Sequence, residues 1–123
     1  HNTFLNVPID TLMHRIEQSV RSGHPVCWEG DTSEDGFSFS EGVAKLENDN
    51  EKPTQAQRQK AFETYQTTDD HCMEIMGIAH DEAGNKYFIC KNSWGKHNRF
   101  GGFMYLSYNY VRLKTIAAYI VRT

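Results

Sequence analysis

The sequence predicts an α+β domain: an antiparallel β-sheet with flanking helices. Three observations carry this. One strongly periodic helix lies near the start, several apolar runs joined by short polar turns fill the second half, and few segments alternate as βαβ units. A length of 123 residues allows one hydrophobic core and not two.

From Ile9 the apolar residues Ile9, Leu12, Ile16 and Val20 recur at helical spacing, with Met13 widening the stripe. Pro8 and Asp10 are start signals, Asp10 as a candidate N-cap, and Gly23 is the stop. Residues 25–28, Pro-Val-Cys-Trp, read as a short buried strand. Residues 29–50 are rich in Gly, Ser and Asp, with isolated aromatics Phe37 and Phe39; they are expected to form an excursion with a helical turn near 41–46. Residues 54–65 follow Pro53, are rich in Gln, Ala, Arg and Lys, and favour a surface helix.

After Asp70 the character switches to strand. Residues 72–79 and 87–91 are two runs around a turn at 81–85 that contains Gly84, which together predict an antiparallel hairpin. A polar loop at 92–102 precedes a third strand at 103–107. A short turn at 108–112 and a closing strand at 116–121 complete the chain.

Composition bounds the partners. Apolar residues make up 38%, charged residues 24%, and the net charge is −3, the profile of an ordinary globular domain. A weakly acidic chain without a basic block carries no electrostatic footprint for nucleic acid or an anionic membrane. No apolar run approaches the about 20 residues that a membrane span requires. The chain starts at His1 rather than Met, which reads as a processed chain or a piece of a longer protein. A cytoplasmic location fits, as does a periplasmic or secreted one after removal of a leader.

Cys27, Cys72 and Cys90 cannot all pair with one another, and their spacings match no zinc or redox motif. Each sits in an apolar run and reads as a reduced, structural residue. His24, His80 and His97 fall in loops or turns without partners at metal-ligand spacing. The acidic stretch at 47–51 reads as an exposed loop face, since it lacks the spaced acids and glycine of a calcium loop.

The chemistry concentrates in Asp69-Asp70-His71 and Asn92-Ser93-Trp94-Gly95. Taken singly, His71 is a strand-end histidine and Asn92 a turn residue. The hairpin changes that reading, because His71 opens its first strand and Asn92 ends its second, so the pairing sets them side by side. An imidazole acts as a base at neutral pH only when its tautomer and ring plane are fixed, and a neighbouring amide oxygen can fix both. Trp94 serves as core, as a cover over that hydrogen bond, or as both.

Asp70-His71-Cys72 followed by Gly77, then Lys91-Asn92-Ser93-Trp94-Gly95 and Gly102-Phe103-Met104, resembles the second half of a papain-like cysteine peptidase. Val7-Pro8-Ile9-Asp10, Gly23-His24-Pro25-Val26 and the long insert before His71 are similar to the bleomycin hydrolase and aminopeptidase C branch. The resemblance runs from about residue 6 to about residue 121. It implies the half-barrel of the family's right-hand β domain, with residues 1–123 as a single C-terminal domain. It also implies that His71 deprotonates a cysteine nucleophile, Asn92 orients the ring, and Trp94 shields their hydrogen bond. Asp70 would contact substrate beside the scissile bond, and Cys72 would face the pocket for the second residue on the acyl side. No cofactor and no metal is implied.

The departures are equally specific. The family nucleophile lies in a Gln-x-Gly-x-Cys-Gly-x-Cys-Trp segment on an upstream helix, and nothing here matches it, so the oxyanion-hole glutamine is missing too. Cys27-Trp28 has only the last two letters and falls on a predicted strand. Where papain carries a second tryptophan after Asn-Ser-Trp-Gly, this chain has His97, Asn98 and Arg99. The C-terminal arm by which bleomycin hydrolases restrict themselves to aminopeptidase action is not recognisable. The expected partners are a peptide substrate and a Cys-bearing N-terminal half; nucleic acid and membrane are not expected. The isolated chain is expected to be inactive. An apolar face left by a missing half, with His71 and Trp94 at its rim, would favour self-association into a homo-oligomer. The competing reading is a non-catalytic peptide-binding module, against which stands the presence of both His71 and Asn92.

Overall fold

The computed structural model describes residues 8–32, 36–63, 70–92, 98 and 100–120. Helix α1 (Ile9–Arg21) buries Ile9, Leu12, Met13, Ile16 and Val20, the stripe that the sequence spacing predicts. Asp10 is not its N-cap. Pro8 holds that position without a side-chain cap, while the Ile9 N–H donates to Gln55 Oε1 at 2.6 Å. Asp10 instead accepts from Arg112 Nη1 at 2.7 Å. At the other end Gly23 adopts φ +84°, which lets the His24 N–H reach back to the Ser19 carbonyl at 2.9 Å.

Among the described residues seven strands form one open sheet: β1 (Val26–Asp31), β2 (Phe37–Ser38), β3 (Val43–Ala44), β4 (Asp70–His80), β5 (Lys86–Asn92), β6 (Phe103–Ser107) and β7 (Thr115–Ile120). Their order is β2-β3-β6-β5-β4-β1-β7, antiparallel throughout except for the parallel pair β3–β6. Helix α2 (Gln55–Glu63) precedes β4, and helix α3 (Tyr108–Lys114) links β6 to β7. The α+β class is as predicted.

Two further local expectations are overturned. The helical turn expected at 41–46 is a β2–β3 hairpin. Gly42, at φ +72°, gives its carbonyl to the Tyr105 N–H at 2.8 Å, and Ala44 is fully buried. Recruitment by β6 outweighs weak local propensity there. The turn expected at 108–112 is α3. Ser107 Oγ caps it by accepting from the Tyr110 N–H at 3.0 Å, and Tyr110 and Val111 are fully buried. Helix α2 begins with a reciprocal cap in which Thr54 Oγ1 accepts from Gln57 N and Gln57 Oε1 from Thr54 N.

The core lies between one face of the sheet and the helices. Leu12, Met13, Ile16 and Val20 of α1 and Tyr110 and Val111 of α3 share it with Val26, Trp28, Met73, Ile75, Phe88, Cys90, Met104, Leu106 and Ala118. Each fully buried large side chain contributes roughly 1.5–3 kcal/mol through burial. Arg112, itself buried, ties the layers together: its Nε donates to the Pro53 carbonyl at 2.5 Å, while its Nη1 holds Asp10.

Candidate active site

The β4–β5 hairpin positions the residues singled out by the sequence. Asp81 builds its turn, accepting from Ala83 N at 3.0 Å, Asn85 N at 2.8 Å and Asn85 Nδ2 at 3.0 Å. Gly84, at φ +87°, completes it. This sets the pairs His80–Lys86, Ala79–Tyr87, Ile78–Phe88 and Gly77–Ile89.

The ladder then shifts. Ile75 pairs with Cys90, Glu74 with Lys91 and Met73 with Asn92, so Met76 is an extra residue in β4. It stands 45% exposed at this bulge. Without the shift, strict alternation from Ile78 would turn positions 76, 74 and 72 toward the core. With it, Ile75 and Met73 are buried there, and His71 takes the next register position of the same parity. On β5, Asn92 continues the parity of the buried Phe88 and Cys90.

His71 and Asn92 therefore occupy adjacent strands, at one end of the sheet, on one parity. They are offset rather than directly opposite: Asn92 faces Met73, and His71 lies two residues beyond. Diagonal neighbours of this kind are about 7–8 Å apart, within reach of long or aromatic side chains. Cys72 holds the opposite parity, paired with Glu29 of β1, and Asp70 pairs with Asp31. Trp94, with Ser93, Gly95 and His97, lies outside the described residues, and the side chains of Asp70, His71, Cys72 and Asn92 do too.

Neither cysteine with a described side chain is placed as a nucleophile. Cys90 is fully buried, and that burial pushes its thiol far above the ordinary cysteine range, which holds it protonated. Cys27 lies on strand β1, not on a helix, and pairs with Glu74 and Tyr119 on the parity opposite to His71. Neither is in a disulfide. His24 and His80 are exposed. Among the described residues no group of three or more His, Cys, Asp or Glu is placed to hold a metal ion. No described helix is long and apolar enough to cross a membrane. A surface depression lined by Asp49, Asn85, Lys86 and Tyr108 sits at the turn end of the hairpin, far from His71.

Beside the site lies a feature that no sequence motif announces. Trp28, fully buried, donates its indole N–H to Thr115 Oγ1 at 2.6 Å, and the Thr115 hydroxyl in turn donates to the Val111 carbonyl of α3. A second bulge makes this possible. Glu29 pairs with Ala117 but Gly30 with Thr115, so Ile116 is extra and the Thr115 hydroxyl turns into the core.

A search of curated protein sequences returned no significant match. Among solved structures, PepW from Lactobacillus rhamnosis HN001 is similar in fold, with a TM-score of 0.65 at 20% sequence identity. The match covers 91% of this chain and 26% of PepW, so the chain spans about a quarter of that protein's length. Residues 1–120 match the Peptidase C1-like family. The family match runs across nearly the whole chain, and the chain belongs to the Peptidase C1-like family.

Proposed function

We propose that this chain is the His/Asn-bearing part of a papain-like cysteine peptidase of the aminopeptidase C type. The observation that supports it most is the bulged β4–β5 register, which gives His71 and Asn92 neighbouring positions of one parity at one end of the sheet in a Peptidase C1-like chain.

In this reading the nucleophilic cysteine comes from chain outside these residues. His71 takes the thiol proton, and the thiolate attacks the scissile carbonyl. The imidazolium returns that proton to the departing amine, leaving an acyl-enzyme that water hydrolyses with His71 as base. Asn92 fixes the imidazole plane, and Trp94 shields that hydrogen bond from water. Asp70 borders the substrate next to the scissile bond, and Cys72 borders the pocket for the second residue on the acyl side. The partners are a peptide and the Cys-bearing half of the same protein.

The test is hydrolysis of peptide substrates by the intact parent protein. His71→Gln should lower kcat by about 10²–10⁴-fold with little change in stability. Asn92→Ala should lower it less, and the isolated 123-residue chain should not turn over. Acetylating the substrate N-terminus should abolish cleavage by an aminopeptidase. Undiminished turnover by His71→Gln would overturn the assignment.

A further inference from the structure

We propose that Trp28 is a positioning residue for His71, a role that rests on reading His71 as the general base. Two rows of the sheet carry the inference. In one, Asn92, Met73, Trp28 and Ala118 stand in register across β5, β4, β1 and β7. In the next, toward the strand ends, His71, Gly30 and Thr115 stand in register across β4, β1 and β7.

The Trp28 ring belongs to both rows. A Cβ on Gly30 would lie 2.0 Å from Trp28 Cζ2 and 2.2 Å from Cη2, so the indole fills the space that a Gly30 side chain would take. That space adjoins the backbone paired with His71. Glycine is required at position 30 because the ring is there, although a mid-strand glycine weakens a strand.

The ring is also held. Its N–H is bound to Thr115 Oγ1 at 2.6 Å, and Thr115, 1% exposed, is bound through the same hydroxyl to α3. A ring wanted only as filler needs no such anchor, because a phenyl group would pack there without a polar atom to satisfy. The anchor gives the indole one orientation and ties the row of His71 to the helix layer. A strand position that must present an imidazole in one tautomer and one plane gains from a rigid anchor beneath the paired backbone.

The experiment follows the His71 imidazole itself in the 123-residue chain by long-range proton–nitrogen NMR across a pH titration. His71→Gln identifies its signals among those of His1, His14, His24, His80 and His97. Trp28→Phe keeps an aromatic ring but loses the N–H, and Thr115→Val loses its acceptor. Both should change the His71 tautomer ratio and move its titration midpoint by about half a pH unit or more, leaving the other histidines in place. Glu29, Asp31 and Asp70, which flank His71 in the register, are unchanged in these variants, so the movement reports the ring.

Thr115→Ser, which keeps the hydroxyl, should restore the wild-type His71 signals. Val26→Ala, at the far end of β1, should lower Tm without moving them. Wild-type His71 signals in both Trp28→Phe and Thr115→Val would overturn the proposal, as would an equal shift in Val26→Ala. Should Trp28→Phe fail to fold, Thr115→Val against Thr115→Ser decides. The readout is independent of turnover: loss of the base role would show in His71→Gln of the intact protein, whereas loss of the positioning role shows here.

Discussion

Deleting Met76 is the perturbation that most directly tests how the site is placed. Met76 is the extra residue of the β4 bulge, so its removal leaves Ile75 opposite Cys90, Glu74 opposite Lys91 and Met73 opposite Asn92. The inner parity of Ile75, Met73 and His71 is unchanged. A deletion in the middle of an eleven-residue central strand would ordinarily turn every residue on one side of it to the wrong face. Here it should regularise the ladder instead. The side chain lost is 45% exposed. Its burial contributes roughly half of the 1.5–3 kcal/mol of a fully buried methionine, about 1 kcal/mol.

For a domain of this size that is a fall in Tm of about 3–6 °C. Thermal unfolding followed by circular dichroism measures the cost, and amide hydrogen exchange of β4 and β5 measures the pairing. Expected are one cooperative transition and protection of the same amides. Ile75→Ala, which empties a fully buried position, should cost more, about 2–5 kcal/mol. A Met76 deletion that abolishes folding, or costs more than Ile75→Ala, would refute this account of the register.

Arg112→Met should destabilise the chain by about 2–4 kcal/mol in urea unfolding, because the buried guanidinium is the donor to the Pro53 carbonyl. Asp10, Glu17 and Asp81 all have carboxyl pKa values below the ordinary 3.8, 4.5 and 3.8. The causes are the Arg112 hydrogen bond for Asp10 and the Asn85 hydrogen bonds for Asp81; for Glu17 burial pushes upward but the bonds from Lys86 and Arg21 outweigh it. Depressed carboxylates stabilise the fold above their unfolded values and lose that contribution as pH falls through the folded ones. Tm should therefore be insensitive to these groups at neutral pH and fall below about pH 4.5, with Glu17→Gln flattening the upper part of the decline. Cys90 should resist iodoacetamide in the folded chain and react only in denaturant, as read by mass spectrometry of its peptide. The exposed side chains of Met76, Phe100 and Phe103 should drive concentration-dependent self-association in sedimentation velocity, and Phe100→Ser with Phe103→Ser should reduce it.

The elements that local order predicts are those with short-range signals, although Asp10, a local start signal, serves Arg112 rather than the helix terminus. The 3.6-residue stripe from Ile9 to Val20 specifies α1, and the Asp81–Asn85 turn between apolar runs specifies the hairpin. Residues 108–112 misled because Ser107 caps a helix only when Tyr110 and Val111 have a core to enter. Residues 41–46 misled because β3 joins the main sheet by pairing with β6, which is remote in sequence, and brings its short β2 partner with it. Trp28 announces a buried strand but not the neighbours of its ring, since Thr115 comes to it across 87 residues.

The sequence by itself determined which side chains stand near the ends of the hairpin: a histidine at the start of one strand and an asparagine at the end of the next. Only the tertiary structure decided that His71, not Cys72, shares the parity of Asn92. Alternation is a local pattern that any strand can start on either face. The bulge that selects the face arises where Ile75 and Phe88 must both be buried while the Asp81 turn holds the far end of the ladder in register.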